Sequence, residues 1–260
     1  MSTVTHSSAR VIGLWAAALF FSASISAAGL NDTGFTTCAD AAGASVSCTA
    51  ASAVPGQDAR YGRDAAAGTS ALTKVGGGAN GFDFTKISNG NGTNPGAILP
   101  ATTPLGTAAG EWGCTYDNTT GLMWEVKTAF GLRNSAYIYS WYSTNSATNG
   151  GDVGAANRGT CSDLGRCDTE KFVQDVNATN MCGHNDWRMP TFRELHSLVR
   201  LGQFPNIDTG YFPNFQSTAW SGSPAGLNAA WIVSFDSNSG PSNAYGRVAP
   251  RYVRLVRSGQ

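Results

Sequence analysis

Pro190 is the residue that most constrains how this chain can fold, because it divides the stretch Cys182-Gly-His-Asn-Asp-Trp-Arg-Met-Pro-Thr-Phe-Arg-Glu-Leu-His-Ser-Leu-Val-Arg-Leu201 into two unlike halves. A proline cannot continue a helix arriving from its N-terminal side, and it biases Met189 towards an extended backbone. Just beyond it, Thr191 and Glu194 have the spacing of a capping box, which predicts a helix beginning at Phe192. Phe192, Leu195, Leu198 and Val199 then share one face at three- and four-residue intervals, with Arg193, His196 and Arg200 turned away and Gly202 as the expected stop. On the other side of the proline, Asp186 is expected to hold a turn and Trp187 to enter a core. The stretch therefore reads as an architectural hub joining a cysteine, a turn, a buried aromatic and a helix start.

The compartment follows from the N-terminus and the cysteines. Arg10 precedes the apolar run from Val11 to Phe21, and Ser26-Ala27-Ala28 offers small residues for a signal peptidase, so residues 1 to 28 are expected to be a signal peptide. No later stretch has the roughly 18 apolar residues of a membrane span, and the mature chain is expected to be exported, to the periplasm, cell surface or medium. Without Arg10 its net charge is about minus one, which argues against a general nucleic-acid binder. The six cysteines, 38, 48, 114, 161, 167 and 182, are an even set in an exported protein and read as disulfides. About fifteen connectivities are open. Short-loop pairing favours Cys38 with Cys48 and Cys161 with Cys167, leaving Cys114 for Cys182. No C-x-x-C spacing supports zinc.

Composition divides the mature chain. Residues 29 to 110 are rich in Ala, Gly, Thr and Asn, and carry no tryptophan, whereas six of the seven tryptophans follow them. This part is expected to be a loop-rich arm with little core of its own, stapled by Cys38 and Cys48, with one strand near Phe82 to Ile87. Residues 111 to 260 are expected to form the packed domain. There Leu122, Trp124 and Val126 alternate with Met123, Glu125 and Lys127, predicting a strand with one buried face. Thr169 is expected to cap a helix through Asn180, with Phe172, Val173 and Val176 inward. Short strands are expected at 217 to 222, 229 to 236 and 251 to 257, with Trp231, Val233 and Phe235 pointing in. The order strand, helix, helix, several strands predicts an α+β domain with antiparallel pairing.

These motifs carry a resemblance. Cys114 with Asp117-Asn-Thr-Thr-Gly-Leu-Met-Trp-Glu-Val-Lys127, the hub from Cys182 to Leu195, Ile207-Asp208, Tyr211-Phe-Pro213, Ala230-Trp231 and Tyr252-Val-Arg-Leu-Val-Arg257 together resemble the Lcl C-terminal domain family. The resemblance spans about residues 111 to 257. It implies a C-type lectin-like scaffold, similar also to formylglycine-generating sulfatase-modifying domains, with two helices, twisted antiparallel strands and long loops displaying a ligand surface. It does not imply catalysis, because fold and function separate easily. Its namesake is a collagen-like adhesin that binds sulfated glycosaminoglycans, but this chain has no Gly-x-y stalk.

Few residues suggest chemistry. Asn185-Asp186-Trp187 departs from the order of the calcium-binding lectin signature, and calcium wants about six to eight oxygens, so calcium is only weakly implied. Glu125 and Glu194 have the residue types of a glycosidase pair, but Glu194 is accounted for by the cap and Glu125 by the polar side of its strand. A formylglycine-generating enzyme would need a reactive thiol pair. The remaining candidates are ligand-binding. Arg247, Arg251, Arg254 and Arg257 follow the last acidic residue, and guanidinium forks suit sulfated or carboxylated glycans; their alternation prevents all from facing one way. Asn228, Asn243 and Tyr245 lie in polar, turn-rich segments suited to adaptable contacts. The sequence thus points to an exported, non-catalytic domain recognising a glycan or a surface protein, with an enzyme or a structural surface component as the alternatives.

Overall fold

A computed structural model describes residues 29–90, 96–236 and 242–259. The expected signal peptide lies outside the described residues. The arm contributes β1 (Cys38–Ala39), β2 (Ser45–Val46), α1 (Asp58–Tyr61), α2 (Arg63–Gly68), β3 (Phe84–Ser88) and β4 (Ile98–Leu99). Then follow β5 (Trp112–Asp117), β6 (Leu122–Glu125), α3 (Thr169–Ala178), α4 (Phe192–His196), β7 (Thr218–Pro224), β8 (Ala229–Ser234), β9 (Ser242–Gly246), β10 (Tyr252–Val253) and β11 (Val256–Ser258).

Beyond the β1–β2 hairpin, the strands form a five-stranded sheet, β11-β6-β5-β3-β4, and a four-stranded sheet, β10-β7-β8-β9. Pairing within them is antiparallel except between β10 and β7. The topology is α+β, as expected. The C-terminal segment is not one strand: Tyr252–Val253 pairs with β7 in one sheet, and Val256–Ser258 pairs with β6 in the other. Residues 254 and 255 therefore cross between the sheets, which buries Arg254 and Leu255 completely enough to join the core.

The arm contributes more to this core than its composition implied. β3 lies inside the five-stranded sheet between β5 and β4, and Phe82, Phe84 and Ile87 are buried. The arm is also tied to the hub, since Asn31 Nδ2 donates to Asp117 and to the Ser197 carbonyl, and the Leu201 N–H donates to Thr33.

All three expected disulfides are present: Cys38–Cys48, Cys114–Cys182 and Cys161–Cys167. Cys114–Cys182 joins β5 to the start of the hub inside a core cluster with Met123, Tyr139, Phe172, Trp187, Trp220 and Leu255. A second cluster gathers Phe84, Trp124, Leu195, Phe212, Val233 and Phe235.

Several local expectations need correction. The helix from Phe192 has its capping box, but it ends at His196, well short of Gly202. Arg200 and Leu201 give their backbone N–H groups to Asn206 and Thr33 rather than to the preceding turn, so the helical ladder is broken by tertiary partners. Leu198 and Val199 remain buried all the same. The cap of α3 is Asp168, which accepts from the Lys171 N–H, while the Thr169 hydroxyl donates to the Tyr142 carbonyl. Strand β6 has two buried faces, not one, because α3 and the C-terminal crossing cover its second side: Met123, Glu125 and Lys127 are as buried as Trp124 and Val126. Trp231 points outward at 37 % exposure and packs against Phe192 with the rings tilted and their centres 5.3 Å apart. Its neighbours Ala230 and Ile232 take the opposite face and enter the core.

Candidate functional site

A cleft of about 810 Å³ opens beside the hub. Three chain segments meet around it. The loop after Trp141 forms one wall, the first two turns of α3 another, and Arg188, Met189, Thr191 and the end of β7 from Gly222 to Pro224 the third. The capping box aims the third wall: Pro190 turns the chain, the Gly222 N–H donates to the Pro190 carbonyl, and the Phe192 N–H donates to the Ser223 hydroxyl. Met189, Val173, Pro224 and Ala147 supply apolar surface.

Most polar side chains in this cleft are already committed. Arg188 forks onto Glu194 at 2.8 and 2.6 Å. Burial opposes ionisation of Glu194, but Arg188 and the Thr191 N–H and hydroxyl outweigh it and hold its carboxyl below the usual range. Glu194 is thus cap and counter-ion at once, and its link to Arg188, six residues away across a proline turn, had no sequence signal. Glu170 accepts from the Thr144 N–H and hydroxyl. No described cation forms an ion pair with it. Glu170, Met189 and Pro224 were missed by sequence reasoning, because the cleft joins segments with no common motif.

The four C-terminal arginines are not brought together as a surface. Arg254 is 1 % exposed, donates to the Glu125 carbonyl at 2.7 Å, and lies over the Phe212 ring. Arg247 is equally buried; it stacks over Trp141 at 4.0 Å, donates to the carbonyls of Ala229 and Asp152, and faces the Asp152 carboxylate. Arg257 pairs with Asp186 at 2.7 Å. That pair, with Arg257's hydrogen bond as its main cause, lowers the Asp186 pKa; Asp186 is therefore a counter-ion rather than the turn residue expected. Only Arg251 is partly exposed, lying over the Tyr245 ring at 4.4 Å. Asn243 and Tyr245 are exposed on β9, and Asn228 is exposed in the β7–β8 turn with a left-handed backbone. Among the proposed binding residues, Arg251 and Tyr245 meet, and Asn228 touches Arg247 through its carbonyl.

Glu125 is wholly buried and paired with Lys127 at 2.7 Å. It is no partner for Glu194, which belongs to the hub. All six cysteines are in disulfides, which leaves no thiol for oxidative cysteine chemistry. No catalytic constellation occurs among the described residues.

A group able to hold a metal ion lies in the arm. Asp32, Asp58 and Asp64 place one carboxylate oxygen each within 4.8 Å of the others. Burial first, and the like charge of Asp32 after it, raise the Asp58 and Asp64 pKa values. Both Asp64 oxygens already accept backbone N–H groups, from Gly34 and Gly81, and Asp32 accepts from Thr33 and Asp64. The residues partly fit a hard cation: three carboxylates give fewer than the roughly six to eight oxygens calcium takes, and several are already occupied.

No curated protein and no solved structure matches this chain. The model of the Lcl C-terminal domain matches residues 113–257, a span that begins inside β5, contains the hub and the whole cleft, and ends in β11. On that match, the chain belongs to the Lcl C-terminal domain family.

Proposed function

We propose that this chain is an exported, non-catalytic binding domain with a C-type lectin-like fold, using the cleft beside the hub to recognise a carbohydrate or protein ligand in adhesion or surface recognition. The observation that carries this reading is the cleft: its volume of about 810 Å³ lies in the range of small-ligand sites, and its surface is chiefly apolar, with hydroxyl, amide and charged groups set among the apolar side chains. Residues 111 to 260 are the recognition domain in this reading, and the preceding residues its disulfide-stapled arm. Commitment of Arg247, Arg254 and Arg257 to internal partners weighs against a sulfated glycan, because a polyanion needs several free guanidinium groups. Calcium enters only through the Asp32, Asp58 and Asp64 group, away from the cleft.

A glycan array probed with calcium and again with chelator tests the carbohydrate reading. Saturable binding that Ala147→Trp abolishes, by filling the cleft from an exposed position, supports it. Absence of saturable binding under both conditions counts against it, and binding that survives Ala147→Trp moves the site elsewhere.

A further inference from the structure

Two ionised groups reach the cleft, Arg188 and Glu170, and they are in opposite states. Arg188 is neutralised where it stands by a two-pronged pair with Glu194. Glu170 has no cation of its own among the described residues. Its carboxylate is nonetheless fixed in place, with Oε2 accepting from the Thr144 N–H at 2.6 Å and both oxygens accepting from the Thr144 hydroxyl at 2.9 and 3.1 Å. Around it the lining is chiefly apolar, from Val173, Met189, Pro224 and Ala147, and the hydroxyls of Thr169 and Thr191 are spent on Tyr142 and Glu194. An apolar cleft bearing one oriented, uncompensated negative charge is complementary to an apolar body bearing one positive charge.

From this arrangement we infer that the cleft takes an organic cation: a protonated amine or guanidinium attached to an apolar or ring-shaped body, with the cation set against Glu170. The inference rests on the cleft being the ligand site. It specifies what that reading leaves open, the sign of the ligand's charge, and it is opposite to the charge that a cluster of arginines suggests. An anion would meet Glu170 with no free cation on the facing wall.

Three indole probes of nearly equal shape test it on the intact disulfide-bonded protein: tryptamine, tryptophol and indole-3-acetate, measured by calorimetry and ligand-observed nuclear magnetic resonance. Tryptamine is expected to bind about two- to fivefold more tightly than tryptophol, the scale of one partly exposed charge pair, with indole-3-acetate weakest. Glu170→Gln, a conservative change at a partly exposed position, is expected to erase the difference between tryptamine and tryptophol. Ala147→Trp is expected to block all three. Equal binding of the three probes overturns the cation assignment and leaves the cleft as a site. If no probe binds up to its solubility while a glycan still binds and is blocked by Ala147→Trp, the cation assignment alone fails. If neither probes nor glycans respond to Ala147→Trp, the cleft reading fails with it.

Discussion

Lys127 and Glu125 hold their charges 2.7 Å apart with neither side chain reaching solvent. They lie two residues apart on one face of the chain, where alternation had placed them, but α3 closes over that face and puts the Phe172 ring 4.2 Å from the Lys127 ammonium. Glu125 Oε2 also accepts the Leu255 N–H, so the pair pins the C-terminal crossing to β6. Losing one member leaves a bare charge in the core, which typically costs about 3 to 5 kcal/mol. Lys127→Met or Glu125→Gln alone should show that loss in urea unfolding. The double variant should recover most of it, because the Gln carbonyl still serves Leu255. A double variant as unstable as the summed singles would show that the charges matter less than the packing.

The same pair sets a pH dependence. Burial draws Lys127 from 10.5 down to about 8, against the attraction of Glu125. Between those pH values the unfolded chain keeps a proton that the folded chain has released, so stability rises with pH across that window, by up to about 3 kcal/mol. Unfolding free energies at pH 8 and pH 10.5 should diverge by this amount between the native protein and the Glu125→Gln/Lys127→Met double variant. Parallel pH profiles would place the Lys127 pKa near its ordinary value.

Arg251 and Arg254 are three residues apart and should behave oppositely. Arg254→Ala removes a buried donor from the Glu125 carbonyl and empties space against Phe212, a loss of about 3 kcal/mol or more. Arg251→Ala removes a half-exposed contact on Tyr245 and should cost less than about 1 kcal/mol. Thermal unfolding distinguishes them. A binding experiment that changes both together would report unfolding, so Arg251→Ala alone is the informative surface variant.

Among the disulfides, Cys114–Cys182 should matter most. It closes a separation of 68 residues against 10 for Cys38–Cys48 and 6 for Cys161–Cys167. Chain entropy assigns about 4 kcal/mol to the long loop and about 2 to 3 to each short one. Paired Cys→Ala variants, compared by denaturant midpoint, should follow that order. A larger loss from the Cys161–Cys167 pair would show that native packing, not loop closure, dominates.

Thr191→Ala should cost about 1 kcal/mol by removing the cap. Glu194→Ala should cost more, since it also strips the counter-ion from Arg188. Because the folded carboxyl of Glu194 titrates below its usual value, its contribution is present above the ordinary glutamate range and lost as pH falls through the lowered value. The native protein should therefore lose stability on acidification with a component absent from Glu194→Ala, as read by unfolding at pH 7 and pH 3. An unchanged acid limb would show that Arg188 contributes little.

Much of the architecture was legible because it was written locally. Thr191 and Glu194 are three residues apart, and a capping box needs no other part of the chain. Short cysteine loops likewise left a single long pairing, and the family motifs were contiguous runs. What failed to read did so where a distant segment intervened. Asp168 took the cap of α3 because Thr169 was engaged by Tyr142, and the helix at Phe192 stopped early because Asn206 and Thr33 claimed the backbone donors that would have continued it.

The candidate site divides the same way. Arg247, Arg251, Arg254 and Arg257 look like a cationic stretch in one dimension, yet the chain crosses between two sheets there and three of the four side chains turn into the protein. Sequence alone determined the helix start at the hub and the α+β class and favoured the disulfide pairing that the structure shows, since capping, short-loop closure and alternation are short-range effects. Tertiary structure decided which charges are buried, which are paired and where the cleft opens, because desolvation and ion pairing depend on segments that meet only when the sheets pack.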